Sequence, residues 1–177
     1  MKSNLHNREL RLWVCALLFA LCALPLPALG LAQAPPAPAK PDFSGRWRMV
    51  KDKSDFGGFT APDIVVRVIE HRDPTLNVHT VQTSRGKTST VDVSYFTDGS
   101  QTTNTMSGRD AVSKAFWDGP ALVIRTTTKD LKGEDQVVED RWELSEDRQT
   151  LTIASHITTS KGQVDMKLVC QREKVGG

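Results

Sequence analysis

Past residue 34 the chain offers three histidines, His71, His79 and His156, and one cysteine, Cys170, as candidates for metal or acid–base chemistry. A zinc site draws three or four such ligands to one point. If the glycine-bearing breaks described below are hairpin centres, His71 and His79 do not lie opposite each other, and His156 faces residues near Met166. No metal site is therefore expected. A single histidine can ligate haem inside a barrel, but His79 and His156 fall on the polar parity of their strands, so no cofactor is expected either. The sequence has no Gly-x-Ser-x-Gly elbow, phosphate-binding glycine loop or His-Glu-x-x-His. Acidic pairs at Glu134-Asp135 and Glu139-Asp140 read as solvated charge, with Asp140 the exception because it shares parity with Val138 and Trp142. Cys170 shares the parity of Met166 and Leu168 and reads as a small buried apolar residue. No catalytic residue is assigned, and the chain is expected not to be an enzyme.

Binding chemistry has more to work with. Tyr95, Trp117, Trp142 and Met166 fall on apolar parities, and Asp140 and Ser155 add polar groups to the same faces. Mostly apolar walls with a few placed polar groups are what small-molecule sites require. Tyr95, Trp117, Asp140, Trp142, Ser155 and Met166 are therefore the candidate ligand-binding residues, for a small apolar molecule or a lipid. The same side chains could instead fill the interior, leaving an interaction module whose loop at 54–61 meets a protein partner. A haem-binding or enzymatic barrel is the remaining alternative.

The elements that must position these residues are strands. Short runs rich in Val, Ile and Thr are predicted at 45–51, 63–71, 76–83, 87–96, 101–106, 109–117, 121–129, 135–144, 150–159 and 163–173. Asp73-Pro74, Arg85-Gly86, Asp98-Gly99, Asp118-Gly119-Pro120, Lys132-Gly133, Glu146-Asp147 and Lys161-Gly162 separate them. Such short links suit antiparallel hairpins, and nothing is long enough for a crossover helix. One apolar and one polar face per strand predicts an all-β, antiparallel up-and-down meander of about eight to ten strands closed into a barrel. Closure also removes exposed sheet edges.

Closure would bring the first strand, with Gly45-Arg46-Trp47, beside the last, which ends Cys170-Gln171-Arg172. Arg172 has the inward parity of its strand, and an indole face would give it a cation–π partner. These residues resemble the lipocalin and fatty-acid-binding (calycin) superfamily, in its Gly-x-Trp near the first strand and its late arginine packed across that tryptophan. Phe-Ser-Gly-x-Trp at 43–47, Ser-Asp-Phe-Gly-Gly at 54–58 and Trp-x-Leu-Ser-Glu-Asp at 142–147 are similar to phrases in small secreted bacterial lipocalin-like proteins of unknown function. The resemblance implies a lipocalin-like barrel whose interior holds a small apolar ligand, with Gly45, Trp47 and Arg172 as structural barrel-closing residues. Three features depart from it: 51–62 is too short for a helical pair, Lys174 stands where an Arg-x-Tyr clamp would need tyrosine, and the body has one cysteine. Fatty-acid specificity is not implied.

The remaining segment explains the chain's charge. Lys2, Arg8 and Arg11 against Glu9 account for the whole formal net charge of +2, leaving the body neutral. A neutral body argues against nucleic acid, which demands a basic excess. Residues 12–24 are apolar throughout and end at Pro25. That run is shorter than the ~20 residues needed to cross a bilayer and has the length of a signal h-region. Residues 1–34 are thus expected to be a signal peptide, 35–42 a Pro/Ala-rich linker, and 43–175 the barrel domain. Secretion or a periplasmic location follows, with no stable membrane insertion after cleavage.

Overall fold

A computed structural model describes residues 40–106, 108–130 and 132–174. The predicted signal segment with Cys15 and Cys22, most of the linker, and Val175 lie outside the described residues. The described chain is almost entirely strand: β1 Gly45–Met49, β2 Ile64–Arg72, β3 Thr75–Ser84, β4 Lys87–Phe96, β5 Gln101–Met106, β6 Arg109–Asp118, β7 Ala121–Lys129, β8 Asp135–Leu144, β9 Thr150–Thr159 and β10 Gly162–Arg172. The chemistry of the links explains the hairpins. Between β3 and β4 only Arg85 and Gly86 intervene, at φ 50° and 73°. Two successive positive φ values define the type I′ turn whose twist matches paired strands, and glycine takes the second without a Cβ penalty.

The strands form one antiparallel sheet in the order β4-β3-β2-β1-β10-β9-β8-β7-β6-β5. Sequence neighbours pair throughout except at two places. β1 pairs with β10, with Trp47 opposite Arg172, so the first and last strands zip together. β4 and β5 share no backbone ladder among the described residues, and the side chain of Asn104 spans them instead. Its amide accepts from the Ser94 N–H at 2.8 Å and donates to the Ser94 carbonyl at 3.0 Å, imitating one rung of a strand. The result is an up-and-down, lipocalin-like barrel, closed by backbone everywhere but at this seam.

β1 stops at Met49 rather than running to 51, and Lys51–Lys53 form a 3₁₀ turn. Lys51, Asp52 and Lys53 have no apolar side chain to bury, so the strand has no reason to continue inward. The chain then turns back along β10: Val50 N–H donates to Val169 O at 2.8 Å, and Asp55 and Lys167 exchange two backbone hydrogen bonds at 2.7 and 2.8 Å. β1 is too short to cover all of β10, and this loop satisfies the stretch that β1 leaves open.

The core fills the end of the barrel where the β2–β3, β6–β7 and β8–β9 links lie. Phe43 and Trp47 are fully buried with Leu76, Leu122 and Leu151. Phe43 lies 6.0 Å from Trp117 in a stacked arrangement and meets Trp142 edge-on at 5.8 Å. Beside them, buried His71 accepts the Phe43 N–H on Nδ1 at 3.3 Å, while its Nε2 has no hydrogen-bond partner among the described residues and lies 4.0 Å from Asp73 Oδ1. Burial lowers the His71 pKa and dominates; Asp42 and Asp73 pull it upward, and Lys40 pushes it down.

A pH dependence follows from the sign of that shift. The unfolded imidazole titrates near ~6.5 and the folded one lower, so the unfolded chain binds the proton first. The contribution of His71 to stability is complete above about pH 6.5 and declines as pH falls toward the lowered native value. Between about pH 7.5 and about pH 5.5 the urea midpoint should fall for the native protein and fall less for His71→Asn, which keeps an acceptor but cannot titrate. Equal slopes for both proteins would remove His71 from this role.

Candidate functional site

Alternation along the strands carries side chains to the lumen at every second position. On β2 that parity runs Val65, Arg67, Ile69, His71; on β8 it runs Val138, Asp140, Trp142; on β9, Ile153 and Ser155; on β10, Met166 and Leu168. Near the other end of the barrel these residues no longer meet. They enclose a pocket of about 210 Å³ lined by Val65, Arg67, Gln82, Asp140, Ile153, Ser155, Met166 and Leu168. The 54–62 loop covers it with Phe56, Phe59, Thr60 and Pro62. Phe59, 56% exposed, also lines a wider cleft of about 630 Å³, with Met106, Ile157 and Val164 on its walls and Arg109, Lys129, Lys132 and Lys161 around it.

Two charged side chains face this lumen, beside the polar Thr60, Gln82 and Ser155. Asp140 lies directly opposite Ser155 in the β8–β9 ladder, and the Ser155 hydroxyl donates to its Oδ1 at 2.5 Å. Burial pushes the Asp140 carboxyl upward, opposed by the Ser155 hydrogen bond and by the charge of Arg67. Arg67 reaches from β2 across the lumen, placing its guanidinium 5.6 Å from the Trp142 ring centre. Its buried Nε has no hydrogen-bond partner among the described residues, and neither does the Trp142 indole N–H. Arg67 influences Asp140 through its charge, yet the two form no ion pair among the described residues. Cation–π contact partly replaces water around a guanidinium, but it leaves the N–H groups in its plane unused.

Of the six candidate ligand residues, Asp140, Ser155 and Met166 line the pocket together. Trp142 sits one inward position further toward the closed end and carries Arg67 on its ring. Tyr95 is buried nearby; desolvation pushes its phenol up to about 12, Asp140 adds to the rise, and Arg67 opposes it. Trp117 is not brought together with the others. It stacks on Phe43 at the closed end and donates its indole N–H to Asp73 at 3.2 Å. Arg172 and Trp47 also lie at that end, with the guanidinium 4.2 Å from the indole centre. His79 and His156 face outward, each against a cross-strand aspartate, Asp92 at 2.6 Å and Asp165 at 2.7 Å. Cys170 is fully buried, and desolvation pushes its thiol up to about 11, so it holds almost no thiolate at neutral pH.

Arg67 is the lumen residue that parity alone does not single out. Ile64, Val66 and Val68 make the opposite face of β2 as apolar as the face of Val65 and Ile69, so alternation cannot say which side is inside. Its one signal is a lone charge within that apolar run.

No protein-family model matches the chain, and no curated protein matches its sequence. Solved structures do match in fold. A secretory abundant heat soluble protein from Ramazzottius varieornatus superposes with a TM-score of 0.53 at 14% identity, covering 73% of this chain and 94% of that one. Secretory abundant heat soluble protein 4 of the same organism gives 0.50 at 15% identity, over 77% and 98%. Zebrafish ileal bile acid-binding protein, complexed with cholic acid, gives 0.50 at 12% identity, over 74% and 98%. At these identities the likeness is one of fold.

Proposed function

We propose that this chain is an exported, non-enzymatic barrel that binds or carries a small hydrophobic molecule. Residues 1–34 serve as the signal peptide and 35–42 as a linker to the barrel. The observation that carries the reading is the pocket itself: about 210 Å³ of unfilled lumen, walled by apolar and polar side chains together, with a buried arginine N–H that lacks a partner among the described residues. A barrel that merely filled its interior would have little reason to keep a cation there, since an unsatisfied buried charge-bearing group costs several kcal/mol. The likeness in fold to a barrel complexed with cholic acid supports the same reading. Native mass spectrometry of gently purified protein, before and after solvent extraction, tests it. A bound mass that extraction removes supports the carrier. Persistent absence of bound mass, together with no change in tryptophan fluorescence on adding apolar probes, favours the filled interaction module. Amino-terminal sequencing of protein recovered outside the cytoplasm tests the export step.

A further inference from the structure

Arg67 and Asp140 bear opposite charges, line one small pocket and do not pair with each other. Each has one partner already: Arg67 rests on the Trp142 ring, and Asp140 accepts from the Ser155 hydroxyl. Arg67 keeps a buried N–H without an acceptor among the described residues, and Asp140 keeps lone pairs to spare. A group that accepts on one side and donates on the other completes both. A carboxylate satisfies only Arg67, because its oxygens then face the oxygens of Asp140. We infer that the pocket is built for the hydroxyl end of a small neutral amphipathic molecule, which accepts from Arg67, donates to Asp140 and extends its hydrocarbon part toward Phe59.

Volume supports that orientation. About 210 Å³ corresponds to roughly seven water molecules at ~30 Å³ each, and is less than the ~300 Å³ at which ordinary ligand pockets begin. The pocket therefore encloses one end of an elongated ligand. Phe59, shared with the wider cleft beyond, and the cleft residues Met106, Ile157 and Val164 offer the remainder an apolar path. An anionic ligand enters only if Asp140 takes up a proton, turning its facing oxygen into a donor. Burial already biases that carboxyl toward the protonated form, so such binding is coupled to pH.

This inference rests on the ligand-binding reading, and one set of titrations separates the two. Tryptophan fluorescence is followed with 1-decanol and with decanoate, on the full folded barrel, at about pH 8 and about pH 6. 1-Decanol should bind at least about tenfold more tightly than decanoate at the higher pH, with an affinity that barely changes with pH. Decanoate should gain affinity as pH falls, approaching about tenfold per unit if one proton is taken up. Asp140→Asn should raise decanoate affinity at the higher pH and flatten its pH dependence. That gain cannot arise from misfolding. Arg67→Met should weaken 1-decanol by about tenfold. Decanoate binding more tightly than 1-decanol at the higher pH overturns the hydroxyl assignment while leaving the carrier reading intact. Failure of both probes to bind the native protein overturns the carrier reading, and the assignment with it.

Discussion

Trp47→Ala is expected to lower the unfolding free energy by about 3–5 kcal/mol, out of the 5–15 kcal/mol typical of a domain. Trp47 is fully buried, so truncation leaves a cavity the surrounding strands can only partly close. Three further interactions go with the ring. Its indole N–H donates to the Phe43 carbonyl at 2.9 Å, and that buried oxygen loses its partner. The Arg172 guanidinium, 4.2 Å from the ring centre, loses the surface on which it lies. The β1–β10 ladder, where Trp47 faces Arg172, loses the packing that backs it. Urea denaturation measures the cost. Phe116→Ala is the control: an aromatic 45% exposed on the outer surface should cost no more than about 0.5 kcal/mol. Similar losses for the two variants would show that Trp47 does not anchor the closed end.

Gly45→Ala should be nearly as damaging, although it adds only a methyl group. Gly45 sits at φ 137°, where residues with a Cβ are strained by about 1–3 kcal/mol. A Cβ built there falls 2.3 Å from Arg172 Nη1, so the guanidinium must move. It cannot move freely. Nη1 donates to the Ser44 carbonyl at 2.6 Å and Nε to the Arg148 carbonyl at 3.0 Å, bonds from a charged donor worth about 1.5–3 kcal/mol each. Together these give an expected loss of about 3–5 kcal/mol. The two causes can be separated. In an Arg172→Ala background the clash disappears, and Gly45→Ala should cost only its backbone strain. A double-mutant cycle read by urea denaturation should therefore show strong non-additivity; simple addition would mean that Arg172 is not what the methyl meets. Because this cluster and the ligand pocket lie at opposite ends of the barrel, Arg172→Ala should affect stability more than ligand affinity.

Much of this architecture is legible in the sequence because hairpin links and strand parity are both local signals. Asp-Gly and Lys-Gly breaks mark where strands end, and alternation alone assigns Val138, Asp140 and Trp142 to one face. What alternation does not assign is height along the barrel axis. Trp117 and Asp140 both carry inward parity, yet one packs against Phe43 at the closed end and the other lines the pocket near the mouth. Height depends on the cumulative stagger of all ten strands, a non-local quantity. Arg67 is hidden for a different reason, since apolar residues on both parities of β2 erase the contrast that alternation needs. Phe56 and Phe59 belong to a loop, which has no period to read. Their place over the pocket is set by the Asp55–Lys167 bridge, a contact between residues far apart in the chain.

The seam between β4 and β5 has a consequence for how the chain could be rewired. Among the described strands, β1 and β10 are the paired strands distant in sequence, while the neighbouring pair without a backbone ladder is joined by a short link at 97–100. A circular permutant that connects the present ends beyond β10 and before β1, and opens the chain at Asp98-Gly99, would cut no ladder. Its strands would run in the order β5 through β10 and then β1 through β4, so that every paired strand follows its partner in sequence. The β1–β10 contacts would become local, while those that β4 makes with β5 and β6 across the seam would become long-range. Loop closure would then be demanded by contacts across the seam rather than by a backbone ladder, so the permutant should form all its ladders before its barrel closes.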